Sequence, residues 1–237
     1  DNVTNFEGIQ FLVENPYWEG AKISLYSAGE ESIASMPNIK VGKFITQVIL
    51  QNIEVEDIDL SNATDLRSAW VQNNPALQKL DLSYSTIWGQ GDKETEGNGT
   101  YGSSLMVLGC PILKEIKLPE KNELKAYRID IECLDALETF DMSNVKMVAE
   151  LSIGDLNKDF NLVYPELTIF YSEDGYAGTY FACSENTFYR ESTQAFLKAN
   201  YTDIDPDDTV RRLGYTSSLS YDKNKGCRWR TLLNKQK

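Results

Sequence analysis

The stretch Leu77-Gln-Lys-Leu80-Asp-Leu82 places an apolar residue, a second three positions on, and a third two beyond that. The alternation from Leu80 to Leu82 is typical of a short strand with one buried face. The triad occurs four times, at Val55/Ile58/Leu60, Leu77/Leu80/Leu82, Leu113/Ile116/Leu118 and Leu137/Phe140/Met142. The first positions, residues 55, 77, 113 and 137, are 22, 36 and 24 residues apart. Such a period predicts a solenoid, because each unit has an apolar edge that only a stacked neighbour can bury.

The longest of these steps contains a glycine-rich segment, residues 89–102. Five of its fourteen residues are glycine, and without it the step returns to 22. We therefore expect this insertion to leave the stack as a surface loop, with a partner-contact loop as the alternative.

The repeat extends beyond the four clear copies. A further copy is predicted from Leu167, and a leading copy near Ile33 and Met36, 22 residues before Val55. The predicted organisation is an N-terminal cap (residues 1–32), a solenoid (33–172) and a C-terminal aromatic-rich cap or small α+β region (173–237).

A bacterial family resemblance is carried by Leu113-Lys-Glu-Ile-Lys-Leu-Pro119, followed by Cys133 and a new start at Leu137. This pattern resembles the BspA-like subclass of leucine-rich repeat proteins. The resemblance implies an α/β solenoid, a right-handed superhelix with short parallel strands. It also implies a non-catalytic binding protein, extracellular or attached to the bacterial cell surface.

In that register the polar residues beside the triads form columns on the concave face. The predicted partner-binding residues are those of the first two columns: Asp57, Lys79, Glu115 and Thr139, then Asp59, Asp81, Lys117 and Asp141. Column neighbours on parallel strands lie about 4.8 Å apart. One interpretation is a ladder of exposed ion pairs, each contributing at most about 1 kcal/mol. The other is a docking surface for a protein, with Asp59 and Asp81 as an unneutralised acidic spot.

Composition restricts the possible functions. The net charge of −13 disfavours nucleic acid as a partner, and no apolar stretch is long enough for a membrane helix. The chain has no histidine, and its four cysteines form no C-x-x-C pair. These absences predict no metal site, no cofactor and no His-based catalysis. Paired carboxylates remain the one enzyme alternative.

The C-terminal region differs from the repeats. Its aromatic residues predict a cap core or a glycan-binding module, the latter through Tyr176 and Tyr180. A disulfide between Cys183 and Cys227 is a further prediction, whereas Cys110 and Cys133 are expected to be buried free thiols. A helix is predicted over residues 193–199, capped by Ser192.

Residues 201–237 carry further predictions. A helix beginning at Pro206 and a hairpin over 215–233 are expected. The carboxylates of residues 203–208 act as helix caps in one interpretation and as calcium ligands in the other. Residues 215–237 hold six Lys or Arg against Asp222 alone, so we expect this basic end to fold back on the acidic body.

Overall fold

The computed structural model describes residues 7–9, 21–27, 33–88, 103–120, 123–157, 159–168, 172–173, 176–177 and 179–200. In chain order, the strands of the described residues are β1 (Ala21–Tyr26), β2 (Ala34–Ser35), β3 (Ile39–Lys40), β4 (Ile45–Gln51), β5 (Ile53–Glu54), β6 (Ile58–Asp59), β7 (Ser68–Gln72), β8 (Lys79–Asp81), β9 (Ser104–Leu108), β10 (Glu115–Lys117), β11 (Leu124–Leu134), β12 (Thr139–Asp141), β13 (Val145–Leu156), β14 (Asn161–Val163), β15 (Ser172–Glu173), β16 (Tyr176–Ala177) and β17 (Tyr180–Cys183). Two helices end this part of the chain, α1 (Glu185–Phe188) and α2 (Glu191–Asn200).

The long strands form one parallel sheet in the order β1-β4-β7-β9-β11-β13-β17. Each neighbour in this long sheet comes from the next turn of the chain. The fold is therefore a parallel β-solenoid of about 5 turns.

The triads form the opposite side of each turn. Short strands pair in parallel as β3 with β6, β8 with β10 and β12 with β14, and β6 lies beside β8 as β10 does beside β12. Leu80 lies opposite Ile116, as the triad alignment predicts. All members of the four triads are buried. They form one core with the inward side chains of the long sheet.

The glycine-rich segment 89–102 lies outside the described residues. The pairing of β8 with β10 nevertheless joins the strands on either side of it in register, with Lys79 opposite Glu115. The two flanking turns are thus direct neighbours in the stack, which is the arrangement expected if the segment is an insertion.

Both outer copies are shifted from their predicted positions. The leading copy is Met36, Ile39 and Val41, since Ile39 pairs with Ile58, whereas Ile33 is 47% exposed. At the other end β12 pairs with β14, so that copy is centred on Leu162 and does not start at Leu167. The long sheet also includes β1 and β17, and the solenoid therefore exceeds the predicted bounds of 33 and 172.

In each turn, the segment that connects one short strand to the next contains a long strand. The expected α/β architecture had no strand in this segment. From β1 to β17 the described residues form strands, turns and loops, and helices α1 and α2 follow β17. The segment that contains β7 explains this outcome, because Ala69 and Val71 point into the core while Trp70 between them is half-buried. Alternation with period two favours a strand over a helix.

Left-handed backbone recurs at the C-terminal end of each long strand from β4 to β13, directly after β4, β7 and β9 and within the last two residues of β11 and β13. Five residues with positive φ, stacked because the residues before them are paired, form this corner column: Asn52 (54°), Asn73 (53°), Gly109 (63°), Cys133 (55°) and Asp155 (44°). Asn, Asp and Gly tolerate this conformation better than other residues. Asn73 also donates its Nδ2–H to Asn52 Oδ1 at 2.8 Å, which links adjacent corners.

Helix α2 caps the C-terminal end of the core. Its Phe196 and Leu197 are buried, and the ring of Phe196 stacks on Tyr164 at 4.5 Å between centroids. The predicted helix over 193–199 is confirmed, but it begins at Glu191, so Ser192 is not its cap. The helix predicted from Pro206, the 215–233 hairpin and the carboxylates of residues 203–208 lie outside the described residues.

Candidate functional site: a charged strand face and a buried acid cluster

The outward side of the short strands, here called the short-strand face, carries the two predicted columns. Pairing places Lys79 beside Glu115 and Asp81 beside Lys117, as predicted. Both columns extend further, because Lys40 pairs with Asp59 and Asn161 pairs with Thr139. The first column is exposed throughout, at Asp57, Lys79, Glu115 and Thr139.

Lys79 forms ion pairs with two other residues of this face. Its Nζ lies 3.0 Å from Glu115 Oε2 on the next strand and 3.4 Å from Asp81 Oδ2 on its own strand. The Glu115 contact is the main reason that the pKa of Lys79 is raised above its usual value. Because the side chains of Lys79 and Glu115 are about half exposed, their contact orders the surface and contributes little to stability.

Three aspartates of the second column also form hydrogen bonds with the backbone. Oδ1 of Asp59, Asp81 and Asp141 accepts a hydrogen bond from the N–H two residues on, at 2.8 to 3.0 Å. The residue that donates is a serine in each case, so Asp-x-Ser is a turn that ends the short strand. Hydrogen bonds from the serine hydroxyls, and then those from the serine N–H groups, hold the pKa values of Asp59 and Asp81 below the usual value.

One prediction for this column is wrong, that of an unneutralised acidic spot. Lys40 lies 3.4 Å from Asp59, and Lys79 is within ion-pair distance of Asp81, so neither aspartate belongs to an unneutralised acidic spot. The turn containing Lys117 has Pro119 where the others have serine. Proline has no N–H to donate, so a carboxylate at position 117 would lack this turn function.

A second cluster, absent from the sequence predictions, lies on the outer face of the long sheet. Asp130 and Glu132 point away from the core because Ile129 and Ile131 point into it, yet they are only 4% and 5% exposed. Arg128 lies 2.7 Å from Asp130 and 3.7 Å from Glu150 of β13. We call Arg128, Asp130, Glu132, Glu150 and Asp155 the acid cluster.

Glu132 is the most perturbed carboxyl of this cluster. Burial, then the charge of Asp130, raises the pKa of Glu132 from 4.5 to about 9. Its Oε1 accepts a hydrogen bond from Ser152 Oγ at 2.8 Å. In the described part of the chain, the buried Asp130 Oδ1 has no hydrogen-bond partner. Burial of Glu132 and the neighbouring charge of Asp130 both favour the neutral form of the Glu132 carboxyl.

The pair had no usable signal in the sequence. Asp130 and Glu132 alternate with isoleucines, and a half-buried strand with a solvated polar face has the same pattern. Burial of that outer face distinguishes the two cases, and burial is a tertiary property.

The cysteines correct two predictions. Cys183 is a buried free thiol, so the predicted Cys183–Cys227 disulfide is wrong, and Cys227 itself lies outside the described residues. Cys133, expected to be a buried free thiol, is half-buried and disulfide-bonded. Cys110 is buried and free as predicted. Burial raises the pKa values of Cys110 and Cys183 to about 12, which makes both thiols poor nucleophiles.

The aromatic residues of the C-terminal region belong in part to the cap core. Phe181 and Phe188 are buried, and Phe181 packs edge-on against Phe196 at 5.4 Å. Tyr189 is exposed. Tyr176 and Tyr180, the predicted glycan contacts, have their backbones in β16 and β17, but their side chains lie outside the described residues.

Two general features bear on partners. In the described part of the chain, no helix combines the length and the apolar character needed to cross a bilayer. Among the same residues, no group of three or more acidic or Cys side chains is arranged to hold a metal ion.

Comparison with known proteins gives no relative for this chain. It matches no protein-family model, no curated protein sequence and no solved structure. The residues and their geometry are therefore the basis of the functional argument.

Proposed function

We propose that this chain is a non-catalytic extracellular or cell-surface interaction protein that binds a protein partner through the short-strand face. The exposed first column carries the proposal. Its side chains project from strands fixed by backbone pairing and by buried triads, and Lys79 and Glu115 are already held together at 3.0 Å. A preorganised surface loses little freedom on binding, which favours affinity.

The charges of the face indicate the chemistry of the partner. Five carboxylates face three ammonium groups across the two columns, namely Asp57, Asp59, Asp81, Glu115 and Asp141 against Lys40, Lys79 and Lys117. A basic protein surface complements such a face, and charge complementarity mainly contributes specificity and association rate.

The buried acid cluster supports the non-catalytic part of the proposal. Asp130 and Glu132 are the paired carboxylates that an acid–base mechanism would need. Both are almost inaccessible to solvent, and Asp130 is committed to Arg128 at 2.7 Å. A substrate arriving from solvent would have to displace this pairing to reach either carboxyl.

The disulfide at Cys133 supports the proposed compartment. Disulfides persist in oxidising environments and are rare in the cytosol. We also propose kinship with BspA-like leucine-rich repeats, for which the four buried triads and their parallel stacking are the support.

A charge swap tests the binding face without changing net charge. The variant Lys79→Glu/Glu115→Lys keeps the ion pair and reverses its direction across two strands. We expect proteins that crosslink to the wild-type chain, from host-surface and microbial extracts, to be lost with this variant. Retention of every captured protein by the swap variant would contradict the proposed site.

The matched control is a second inter-turn ion pair whose two residues belong to neither column of this face. Lys146 Nζ lies 3.1 Å from Glu166 Oε2, a separation close to that of Lys79 and Glu115. The variant Lys146→Glu/Glu166→Lys should capture the same proteins as the wild type. Equal losses with both swaps would show general charge sensitivity and would also contradict the proposal.

A further inference from the structure

We propose that Asn62 carries an N-linked glycan and that the first sugar of this glycan packs on the ring of Tyr84. This modification site lies in the turn after β6. Its occupation depends on the extracellular location proposed above, but not on the partner-binding face. The first column lies at the start of the short strands, whereas Asn62 follows the end of one, so a glycan here leaves that column accessible.

The sequence around Asn62 is that of a glycosylation acceptor. Asn62-Ala-Thr fits the motif Asn-x-Ser/Thr, in which x is not proline. The chain contains this motif at Asn2, Asn62, Asn98 and Asn200, and the first and third of these lie outside the described residues. Because three residues make a short pattern, the surroundings of each asparagine have to separate an acceptor from a chance match.

The surroundings of Asn62 and Asn200 differ in the way that matters for a glycan. Asn62 is exposed in a turn, and its side-chain amide has no hydrogen-bond partner in the described part of the chain. Asn200 is only 8% exposed, and its Nδ2 donates to the carbonyl oxygen of Phe196 at 2.9 Å. The sugar bonds to this same side-chain nitrogen, so the folded chain has room for a glycan on Asn62 and none on Asn200.

The next turn of the solenoid places an aromatic ring beside Asn62. The carbonyl oxygen of Thr64 accepts hydrogen bonds from the N–H and the Oγ1–H of Thr86, both at 2.8 Å. These two turns are therefore stacked with an offset of 22 residues. The same offset makes Tyr84 the neighbour of Asn62, since each is the residue after the serine of an Asp-x-Ser turn.

Tyr84 has the exposure and the chemistry of a sugar contact. Its side chain is 49% exposed, whereas the same turn position holds the polar residues Asn62 and Glu120 in the two neighbouring turns. A sugar ring presents C–H groups that suit the negative face of an aromatic ring. Tyrosine can also keep its hydroxyl in water while its ring is covered. A glycan on Asn62 therefore covers an apolar ring that is otherwise half exposed.

Transfer of the glycan requires a polyprenyl diphosphate-linked oligosaccharide and a membrane-bound transferase. Asn62 Nδ2 forms a bond to the anomeric carbon of the first sugar, while the bond from that carbon to the diphosphate oxygen breaks. The diphosphate leaves with the electron pair of the broken bond. The amide nitrogen gives up one of its two protons to a base of the transferase and keeps the other.

Glycopeptide mapping of the chain purified from its native source tests the site. Digestion after Lys and Arg places Asn62 in peptide 44–67 and Asn200 in peptide 199–211. We expect electron-transfer fragmentation to locate a glycan on Asn62 and none on Asn200. An unmodified Asn62 would overturn the proposal, and a glycan on Asn200 would contradict the selection of sites by burial. If the unmodified chain is recovered from the extracellular fraction, the proposed location still stands, whereas recovery from the cytosol alone would contradict the location as well.

A double-mutant cycle tests the contact with Tyr84. Wild type, Asn62→Gln, Tyr84→Ala and the double variant are secreted from a host that adds N-linked glycans. Asn62→Gln should lower the melting temperature of the wild type, and it should have a smaller effect in the Tyr84→Ala background. Tyr189→Ala, at another exposed tyrosine, is the matched control background and should keep the full effect. Equal effects of Asn62→Gln in the wild-type and Tyr84→Ala backgrounds would overturn the assignment of Tyr84.

Discussion

Gly109 shows how one residue is fixed by the stacking of turns. It occupies the corner column at φ +63°, and a Cβ placed there would lie 2.7 Å from Asn73 Oδ1 of the preceding turn. The position therefore requires glycine for two reasons, backbone conformation and space. Three other members of the column, Asn52, Asn73 and Asp155, are residue types that adopt left-handed backbone at modest cost, and Cys133 is the fifth member.

We predict that Gly109→Ala lowers the free energy of unfolding. The left-handed backbone alone accounts for about 1–2 kcal/mol, and the contact with Asn73 adds to it. Chemical denaturation measures the loss. In an Asn73→Ala background the steric part should vanish, so the cost of Gly109→Ala should be smaller there. An unchanged cost would show that the contact is irrelevant.

Glu132 gives the fold a pH dependence at the residue scale. Its pKa is 4.5 as an ordinary carboxyl and about 9 in the fold, so the folded state holds a proton that the unfolded state has released between these values. The unfolded state then binds fewer protons, and stability falls as pH rises through this range. The contribution is fully present below pH 4.5 and is lost as pH passes 9.

The variant Glu132→Gln should remove this dependence. Glutamine is neutral at every pH, can accept from Ser152 and can donate to Asp130. We expect the variant to gain stability relative to the wild type progressively from pH 5 to pH 9, as measured by thermal unfolding. Glu138→Gln, at an exposed site, is the control and should show no such trend. Parallel curves for wild type and Glu132→Gln would refute the raised pKa of Glu132 in the folded state.

At the element scale, the unit that repeats is a short strand closed by its own turn. Asp-x-Ser ends three of the short strands, with the aspartate accepting from the serine N–H at 2.8 to 3.0 Å. The number of residues from this aspartate to the next long strand is also repeated. Asp59 precedes Ser68 by nine residues, and Asp81 precedes Ser104 by nine once segment 89–102 is left out.

Deletion of residues 89–102 should therefore preserve the fold. The shortened turn matches the turn before it, and a shorter loop loses less entropy on folding. We expect the melting temperature of the deletion variant to equal or slightly exceed that of the wild type. A control deletion of equal length, residues 103–116, removes β9 and should abolish cooperative unfolding. Loss of folding in the first variant would show that the segment is structural.

At the scale of the whole molecule, the sequence determines one side of the solenoid more clearly than the other. The triads could be aligned from Val55 to Met142 because short-range alternation and period agree. The outer copies were misplaced, since Ile33 and Leu167 fit the spacing while the pairing of Ile39 and Leu162 is fixed by tertiary register.

The long sheet and the acid cluster were beyond prediction for a related reason. Segments such as β7 combine one half-buried tryptophan with small residues, a weak strand signal that a leucine-rich-repeat resemblance overrides. Asp130 and Glu132 have the sequence of an exposed face, and burial of that face is the main cause of the raised pKa of Glu132. The first column of the short-strand face was predictable because it depends on alternation alone.

In each turn of the solenoid, the segment that connects two short strands contains a long strand of the parallel sheet. Gln51 and Gln72 lie opposite each other at the ends of β4 and β7, so cysteines at these positions fall within disulfide distance. Gln51 and Leu108 are separated by an intervening strand, about 10 Å in all. We predict rapid oxidative crosslinking of Gln51→Cys/Gln72→Cys, mapped by mass spectrometry, and none of Gln51→Cys/Leu108→Cys. No crosslink in the first pair, or equal crosslinking in both, would contradict the β-solenoid.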